Sequence, residues 1–455
     1  MKKTATRSFL PMALAFATTV ASAQASHECQ LVNGMRVIVK EDHRAPTVAH
    51  MVWYRAGSMD EHSGVTGVAH VLEHMMFKGT KTHKPGEFSR RVAQLGGREN
   101  AFTSTDYTAY FQQVERSRLP QMMALEADRM ANLVLTEEEF AREIRVVMEE
   151  RRLQTDDQPI AKLYEALHAA AYFSHPYHHP IVGWMSDLAN MTVEDARRWY
   201  SRWYAPNNAV MVVAGDVEGA AVCALARRHF GAIPSRPVLS ARPQEEAPQT
   251  GPRRVTVKAP AENPYIALAF KAPALRDVEK DEDPFALDVL AAVLDGYDNA
   301  RLKAGLVRTE RIANTASAEY ANISRGSPVL FVLSGTPATG VSPEVLEKRL
   351  RDEVARIARD GVSEEELARI KTQLVADEIY KRDSAFGQAM EIGELELSGI
   401  PHTKIDRIIE RLGKVSVEQV KAVAAKYFGD DNLTVATLVP LPLENRKPPS
   451  LPTRH

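Results

Sequence analysis

The chain has 455 residues, of which 44% are hydrophobic and 25% are charged, and its formal net charge is −2. This balance is typical of a globular protein of two or three domains and argues against a disordered chain. The nearly neutral charge and the lack of a basic tract also argue against a nucleic-acid-binding protein.

The N-terminal segment has the pattern of a secretory signal peptide. Lys2 and Lys3 precede an apolar stretch from Phe9 to Val20, and Ala21-Ser22-Ala23 has the small residues of a cleavage site. We predict that residues 1–23 are a cleaved signal peptide and that the mature protein lies in the periplasm. The apolar stretch is shorter than the roughly 20 residues of a spanning helix, so membrane insertion is not expected.

Two cysteines, Cys29 and Cys223, follow this segment. An exported chain with so few cysteines is not a disulfide-built scaffold. The sequence leaves open whether they form one bridge or stay unpaired, with Cys223 buried in an apolar helix, because spacing alone does not fix the distance between their Cα atoms.

The first elements alternate between strand and helix patterns. Residues 35–39 and 47–54 alternate and are β-branched, which predicts two strands. The apolar stripe within 65–77 has a helical period, and residues 87–95 continue as a second helix. Residues 101–111 are rich in Thr, Tyr and Phe and predict a further strand.

A capping box at Thr136 predicts a helix from about Glu137 to Leu153. Further on, residues 238–254 are dense in proline, charge and small polar residues, a composition typical of a linker. We therefore expect an N-terminal domain over 24–237 and a C-terminal domain over 255–445.

The two sides of the predicted linker repeat each other. On each side, a valine at a predicted helix start is followed by an aromatic residue 11 positions later and by an asparagine 15 positions later, just before a strand. These residues are Val193, Tyr204 and Asn208 on one side and Val417, Phe428 and Asn432 on the other. This constant register predicts duplication of one α+β unit. The alternative is coincidence between two ordinary helix-to-strand connections.

His70, Glu73 and His74 fall on one turn of the first predicted helix. Residues four apart share a helix face, so both imidazoles can bind one ion. A catalytic zinc needs three protein ligands and an open position for water, and a carboxylate beside that water can take its proton. The alternative is two hydrogen-bonded core histidines with a solvated glutamate.

The helix capped by Thr136 offers candidates for the third ligand. Glu143 and Glu150 are seven residues apart, about two turns, and therefore share a face. Glu149 is adjacent. One glutamate could bind the metal while another orients the site. The alternative is a solvated acidic face.

The stretch from His70 to His74 is the inverted zinc motif H-x-x-E-H. The sequence around it resembles the pitrilysin family, which includes insulin-degrading enzyme and the mitochondrial processing peptidase. Six segments carry the resemblance in order: NGMRVIVKEDHRAP (33–46), GSMDE (57–61), GVAHVLEHMMFKGT (67–80), GGRENAFTSTDYTAYF (96–111), EIRVVMEE (143–150) and HPYHHPIVG (175–183). The resemblance implies an α+β fold of two homologous halves, each an antiparallel-rich β-sheet covered by helices, that form one side of a clamshell.

The resemblance also implies roles for single residues. His70, His74 and Glu150 match the ligands of one Zn²⁺ per chain, Glu73 matches the general base, and Glu143 matches an auxiliary acid.

Asn100 and Ala101 match the start of an edge strand on which substrate peptides lie as an added β-strand. Without the resemblance, Asn100 would be interpreted as a turn residue.

Active relatives complete their site with an arginine and a tyrosine that stabilise charge on the carbonyl oxygen. The matching stretch here, LVRTERIAN (306–314), keeps Arg308 but has Asn314 at the tyrosine position, and Tyr320 could substitute. We therefore predict a heterodimer with a homologous subunit that lacks the zinc motif and supplies arginine and tyrosine, with a homodimer as the alternative. Arg308 and Asn314 could also be ordinary helix and turn residues.

The sequence as a whole predicts a zinc-dependent endopeptidase that hydrolyses unfolded or short peptides. Two alternatives from other classes are a non-catalytic core or assembly subunit and an exported metal-binding protein. The intact set of His70, Glu73, His74 and Glu150 argues against the first of these.

Overall fold

The computed structural model describes residues 26–238 and 244–443, so the predicted signal peptide lies outside the described residues. The strands are β1 (His27–Gln30), β2 (Arg36–Glu41), β3 (Thr47–Tyr54), β4 (Arg98–Thr103), β5 (Thr108–Glu115), β6 (Ala209–Gly215), β7 (Arg253–Pro260), β8 (Tyr265–Ala272), β9 (Ala313–Tyr320), β10 (Val329–Pro337) and β11 (Leu433–Leu441).

The α-helices are α1 (Val68–Met75), α2 (Glu87–Gln94), α3 (Leu119–Asn132), α4 (Glu137–Arg151), α5 (Pro159–Ala171), α6 (Met185–Asn190), α7 (Val193–Trp203), α8 (Gly219–Phe230), α9 (Asp283–Asp295), α10 (Pro343–Asp360), α11 (Glu364–Tyr380), α12 (Ala385–Ser398), α13 (Ile405–Gly413) and α14 (Val417–Tyr427). None of the helices in the described part combines the length and the apolar composition that crossing a bilayer requires.

The strands form two sheets whose strand orders match. The first sheet has the order β1-β2-β6-β3-β5-β4 and the second the order β7-β11-β8-β10-β9. Each sheet contains one parallel pair, β2 with β6 and β7 with β11, and its other pairs are antiparallel. The second sheet therefore repeats five strands of the first. This confirms the predicted α+β class with two homologous halves.

The repeated asparagines make equivalent hydrogen bonds in the two halves. Asn208 Nδ2 donates to the carbonyl of Trp203 at 2.9 Å, and Asn432 Nδ2 donates to the carbonyl of Tyr427 at 3.1 Å. Each bond closes the connection from a capped helix, α7 or α14, into the strand that follows. The spacing is constant because the same connection is built twice.

One predicted strand is wrong. Residues 101–111 form the end of β4, a turn and the start of β5. The Ser104 hydroxyl accepts hydrogen bonds from the backbone N–H groups of Asp106 and Tyr107, both at 3.1 Å. A serine that satisfies the donors of the next residues stabilises a turn, and this local bond outweighs the strand propensity of the surrounding Thr, Tyr and Phe residues.

Each half packs one helix against the sheet of the other half. Helix α5, from the first half, packs Leu163 and Leu167 against the second sheet. Helix α12, from the second half, packs on β3 and β6, where Gly393 lies against Trp53. A Cβ at position 393 would lie 2.1 Å from Trp53 Cε2, so only glycine fits this contact. Each sheet thus needs a helix of the other half to bury one of its faces.

The segment predicted as a linker, 238–254, contains a buried acid and the first residues of β7. The Glu246 side chain is 2% exposed, pairs with Lys271 Nζ at 2.8 Å, and accepts backbone N–H groups from residues 173–175 at 2.9–3.0 Å. Burial alone would raise the pKa of Glu246, but these donors lower it to about 2. In the described residues 244–254 of this segment, Glu246 therefore contacts both halves.

Of the two alternatives for the cysteines, the structure has the bridge. A disulfide joins Cys29 on β1 to Cys223 on α8, with the Cα atoms 6.3 Å apart. The bond ties the outer strand of the first sheet to a helix packed beside it. Cys223 is buried, as the apolar pattern of its helix indicates.

Candidate metal centre

Helix α1, which carries the H-x-x-E-H motif, begins at a tightly packed N-terminus. The buried carboxylate of Glu61 accepts the backbone N–H groups of Gly67 at 2.7 Å and Ala69 at 2.8 Å, which satisfies donors that have no partner within the helix. Gly67 has a φ of 86°, and a Cβ there would lie 2.3 Å from the carbonyl oxygen of Val182. The loops around Glu61 and Val182 therefore fix where α1 starts.

His70, His74 and Glu150 come together between α1 and α4. One ligand atom from each of the three lies within 4.8 Å of the others, and the described residues contain no second group of this kind. Glu150 lies 3.8 Å from His70 Nε2 through Oε1 and 3.3 Å from His74 Nε2 through Oε2. Two imidazoles and one carboxylate form a donor set that suits Zn²⁺ with a fourth position open.

The two histidines are held differently. Burial is the main cause that lowers the pKa of His70 to about 3, and the charge of the neighbouring His74 is the second. This imidazole is therefore neutral at pH 7. His74 Nδ1 lies 3.0 Å from Glu143 Oε1, which leaves Nε2 directed at Glu150. Burial works against protonation of His74, but the bond to Glu143 and the carboxylates of Glu73 and Glu150 raise its pKa overall. Metal binding at Nε2 would compete with protonation of that nitrogen.

Lys78 is a residue of the site that the sequence prediction missed. Its Nζ lies 2.6 Å from Glu143 Oε2, so Glu143 is held between Lys78 and His74. Burial opposes ionisation of Glu143, but these two partners lower its pKa below the usual range. The spacing of four residues from His74 to Lys78 is the signal that could have identified this residue.

Glu73 lies on the same turn of α1 as His70 and His74 and is hydrogen-bonded to the first sheet. Thr103 Oγ1 donates a hydrogen bond to Glu73 Oε2 at 2.6 Å. Burial raises the pKa of Glu73, and the bond from Thr103 and the charge of His74 act in the opposite direction. A carboxylate whose pKa lies above its usual range is suited to accept a proton and return it.

Asn100 and Ala101 lie on β4, which is the edge strand of the first sheet in the described part of the chain. Asn100 Oδ1 accepts the backbone N–H of Ala101 at 2.9 Å. The same strand ends at Thr103, whose side chain contacts Glu73. An extended peptide can pair with such an edge as an added strand.

The structure does not bring the predicted second-half residues to this centre. Arg308 is exposed and bonds the Asn299 side chain at 2.9 Å. Asn314 is exposed on β9, and the Tyr320 hydroxyl donates to the carbonyl of Pro273. Within residues 26–238 and 244–443, no hydrogen bond or ion pair joins any of these three to the candidate ligands.

A different arginine connects the second half to the loops of the site. Arg325 donates to both carboxylate oxygens of Asp60, at 2.7 and 3.0 Å, and its backbone N–H donates to Asp106 Oδ2 at 2.9 Å. The Tyr177 hydroxyl donates to the other oxygen of Asp106 at 2.6 Å. Asp106 lies in the turn after β4, so the second half supports the edge strand. No spacing in the sequence signals this contact.

Two family models match successive parts of the chain. Residues 36–183 match the model described as insulinase, peptidase family M16, and residues 190–374 match the model described as the peptidase M16 inactive domain. The chain is 32% identical over 417 residues to zinc protease PqqE of Helicobacter pylori, which covers 90% of this chain and 92% of that protein. It is 28% identical over 405 residues to the uncharacterized zinc protease YmxG of Bacillus subtilis, with coverages of 89% and 96%.

Solved structures have the same fold. A crystal structure of a protease from Helicobacter pylori is 30% identical, superposes with a TM-score of 0.86, and covers 91% of this chain and 100% of its own. The peptidase M16 inactive domain from Pseudomonas fluorescens is 18% identical with a TM-score of 0.81, covers 91% and 98%, and supports the fold alone. The family resemblance is thereby confirmed, and the chain belongs to the insulinase family, peptidase family M16.

Proposed function

We propose that this chain is a zinc-dependent endopeptidase for short or unfolded peptides, in which His70, His74 and Glu150 bind one Zn²⁺ and Glu73 is the general base. The observation that carries the proposal is the convergence of the three candidate ligand atoms within 4.8 Å, two of them from the helix that carries Glu73. Two imidazoles and one carboxylate are a donor set found in hydrolytic zinc sites.

A Zn²⁺ held by these residues would lower the pKa of a bound water and polarise the peptide carbonyl. Thr103 occupies Oε2 of Glu73, so Oε1 is the oxygen that accepts the proton of the attacking water and returns it to the leaving amine. Glu143 keeps the tautomer of His74 that leaves Nε2 free.

Substrate would bind along the outer edge of β4, where Asn100 and Ala101 contact its backbone. An edge strand binds a peptide mainly through main-chain hydrogen bonds, which do not depend on the side chains of the peptide. The site therefore accepts extended peptides of varied sequence. A folded domain does not present a free strand of this kind, which limits the substrates to short or unfolded chains.

The proposal includes a partner subunit and export. Arg308 is bonded to Asn299 instead of facing the centre, and Asn314 stands at the tyrosine position, so donors for the carbonyl oxygen are incomplete within the chain. A homologous subunit without the zinc motif would supply the arginine and tyrosine, and a second copy of this chain is the alternative. Export to the periplasm rests on the pattern of residues 1–23.

A non-catalytic subunit is the second candidate. It is favoured by the match of residues 190–374 to a model described as an inactive domain and by the position of Arg308. Metal content separates the candidates, because a non-catalytic subunit has no need for zinc. A chain that binds zinc but never cleaves peptides would instead be an exported metal-binding protein.

The test is cleavage of quenched-fluorescent peptides by the zinc-loaded mature chain, alone and mixed with a homologous subunit. We expect one Zn²⁺ per chain and cleavage that is lost with a chelator and restored by Zn²⁺. The control is Glu73→Gln, which should keep the zinc and lose the activity. Zinc-free protein, or zinc-loaded protein that cleaves nothing in either setting, would overturn the proposal.

A further inference from the structure

Thr103 stands at a junction between the edge strand and Glu73. It is the last residue of β4, and its hydroxyl donates to Glu73 Oε2 at 2.6 Å. A hydrogen bond from a hydroxyl to a carboxylate is strong when it is screened from water, and Glu73 is buried. The hydrogen bond from Thr103 therefore fixes Oε2 of Glu73, the proposed general base.

The position of Thr103 is itself determined by a closed turn. The backbone N–H of Ser104 donates to the carbonyl of Tyr107 at 2.8 Å, and the N–H of Ser58 donates to the carbonyl of Ser104 at 3.2 Å. A Cβ at Gly57 would lie 2.4 Å from the carbonyl oxygen of Thr105, so the loop before α1 packs directly against this turn. The donor of the bond is thus held more firmly than a residue on a free strand end.

We propose that Thr103 is a positioning residue that orients Glu73 for proton transfer and links this orientation to occupancy of β4 by substrate. This inference rests on the proposed function. Because the Thr103 hydroxyl holds Oε2, the carboxylate of Glu73 keeps one orientation and Oε1 has a fixed direction. The entropy cost of orienting the base is then met before the reaction begins. A peptide that pairs with β4 would restrain the strand and with it the hydroxyl donor.

The alternative role of Thr103 is purely structural, namely to satisfy a buried carboxylate. The two roles differ in what a substitution changes. Loss of a positioning residue lowers kcat and leaves KM, zinc content and the folding midpoint nearly unchanged. Loss of a structural bond instead lowers the folding midpoint. In that case Thr103→Ser would have no specific effect on kcat.

The experiment compares Thr103→Val, Thr103→Ser and the wild type in peptide cleavage, with zinc content and thermal midpoint measured on the same samples. Thr103→Val keeps the shape and removes the donor, so we expect kcat to fall about tenfold or more, with KM changed by less than about twofold. Thr103→Ser should recover kcat to within about threefold of the wild type. The matched control is Thr108→Val, because Thr108 lies opposite Thr103 and its hydroxyl bonds the carbonyl of Ala56 instead of Glu73.

Crystal structures of the metal-free variants give a readout that does not depend on activity. We expect the Glu73 carboxylate to leave its position in Thr103→Val and to keep it in Thr103→Ser. An unchanged carboxylate or an unchanged kcat in Thr103→Val, with an active wild type and an inactive Glu73→Gln, would overturn this inference alone. A wild type that never cleaves peptides would overturn the proposed function and this inference together.

Discussion

Lys78 Nζ lies 2.6 Å from Glu143 Oε2, while His74 Nδ1 lies 3.0 Å from the other oxygen of the same carboxylate. Glu143 is therefore an intermediary between a lysine outside the zinc motif and a histidine inside it. The arrangement keeps Glu143 ionised and holds the ring of His74 with Nε2 directed at Glu150.

From this contact we expect Lys78→Met to weaken zinc binding without removing a ligand. The carboxylate of Glu143 would lose one of its two partners, and His74 would be less firmly oriented. Substitutions of residues that orient metal ligands cost about 10–100-fold in metal affinity. Competition with a chromophoric chelator measures the Kd for Zn²⁺. Lys81→Met is the control, since Lys81 is exposed three residues further on, and equal affinities in the two variants would contradict the expectation.

Arg325→Met should destabilise the protein because it leaves the carboxylate of Asp60 without its cation. The Arg325 side chain is 13% exposed and Asp60 is 2% exposed, so the pair is screened from solvent. Removing one partner of a buried pair costs about 3–5 kcal/mol. Urea denaturation monitored by tryptophan fluorescence gives the free energy of unfolding.

The control for Arg325 is Arg359→Met, which removes an exposed partner of Asp360. An exposed pair contributes about 0–1 kcal/mol, so this variant should unfold near the wild-type midpoint. Equal midpoints for the two variants would show that the Arg325 contact contributes little.

The disulfide should contribute strongly to stability, because Cys29 and Cys223 are separated by 194 positions. Closing a loop of this length removes entropy from the unfolded chain that is worth about 5 kcal/mol in the chain-entropy model. We expect a reductant to lower the thermal midpoint of the wild type and to leave that of a Cys29→Ser, Cys223→Ala double variant unchanged. A wild type that is equally stable with and without reductant would refute this expectation.

Stability should decrease in acid partly through Glu246. Its pKa is about 2 in the folded chain and about 4.3 in an unfolded one, so the folded state binds the proton less tightly. The stabilisation is therefore fully present above about pH 4.3 and is lost as the pH falls towards 2. Its upper bound from the two pKa values is about 3 kcal/mol.

Glu246→Gln tests this expectation, since glutamine has a similar shape and does not titrate. We expect the free energy of unfolding of the variant to change less between pH 5 and pH 3 than that of the wild type. The control is Glu365→Gln in the exposed first turn of α11. Parallel pH curves for the wild type and Glu246→Gln would exclude the proposed role of this carboxylate.

Local patterns determined several helices and strands and the central motif of this protein. Helical spacing alone indicates that His70 and His74 share a face, and the capping box at Thr136 places the start of α4 correctly. The constant spacing before Asn208 and Asn432 reflects one connection built twice. Such features are encoded by hydrogen bonds and side-chain periods within about one to four turns of chain, so a sequence window contains all the groups involved.

The tertiary structure decided which distant groups meet. Spacing put Glu143 and Glu150 on one face of α4, but only packing against α1 directs Glu150 to both Nε2 atoms and Glu143 to Nδ1. The bond from Thr103 to Glu73, the contact of Arg325 with Asp60, and the bridge between the cysteines depend equally on how sheets and helices pack. Their partners are separated by 30 to 265 positions, and across such distances no backbone period relates one side chain to another.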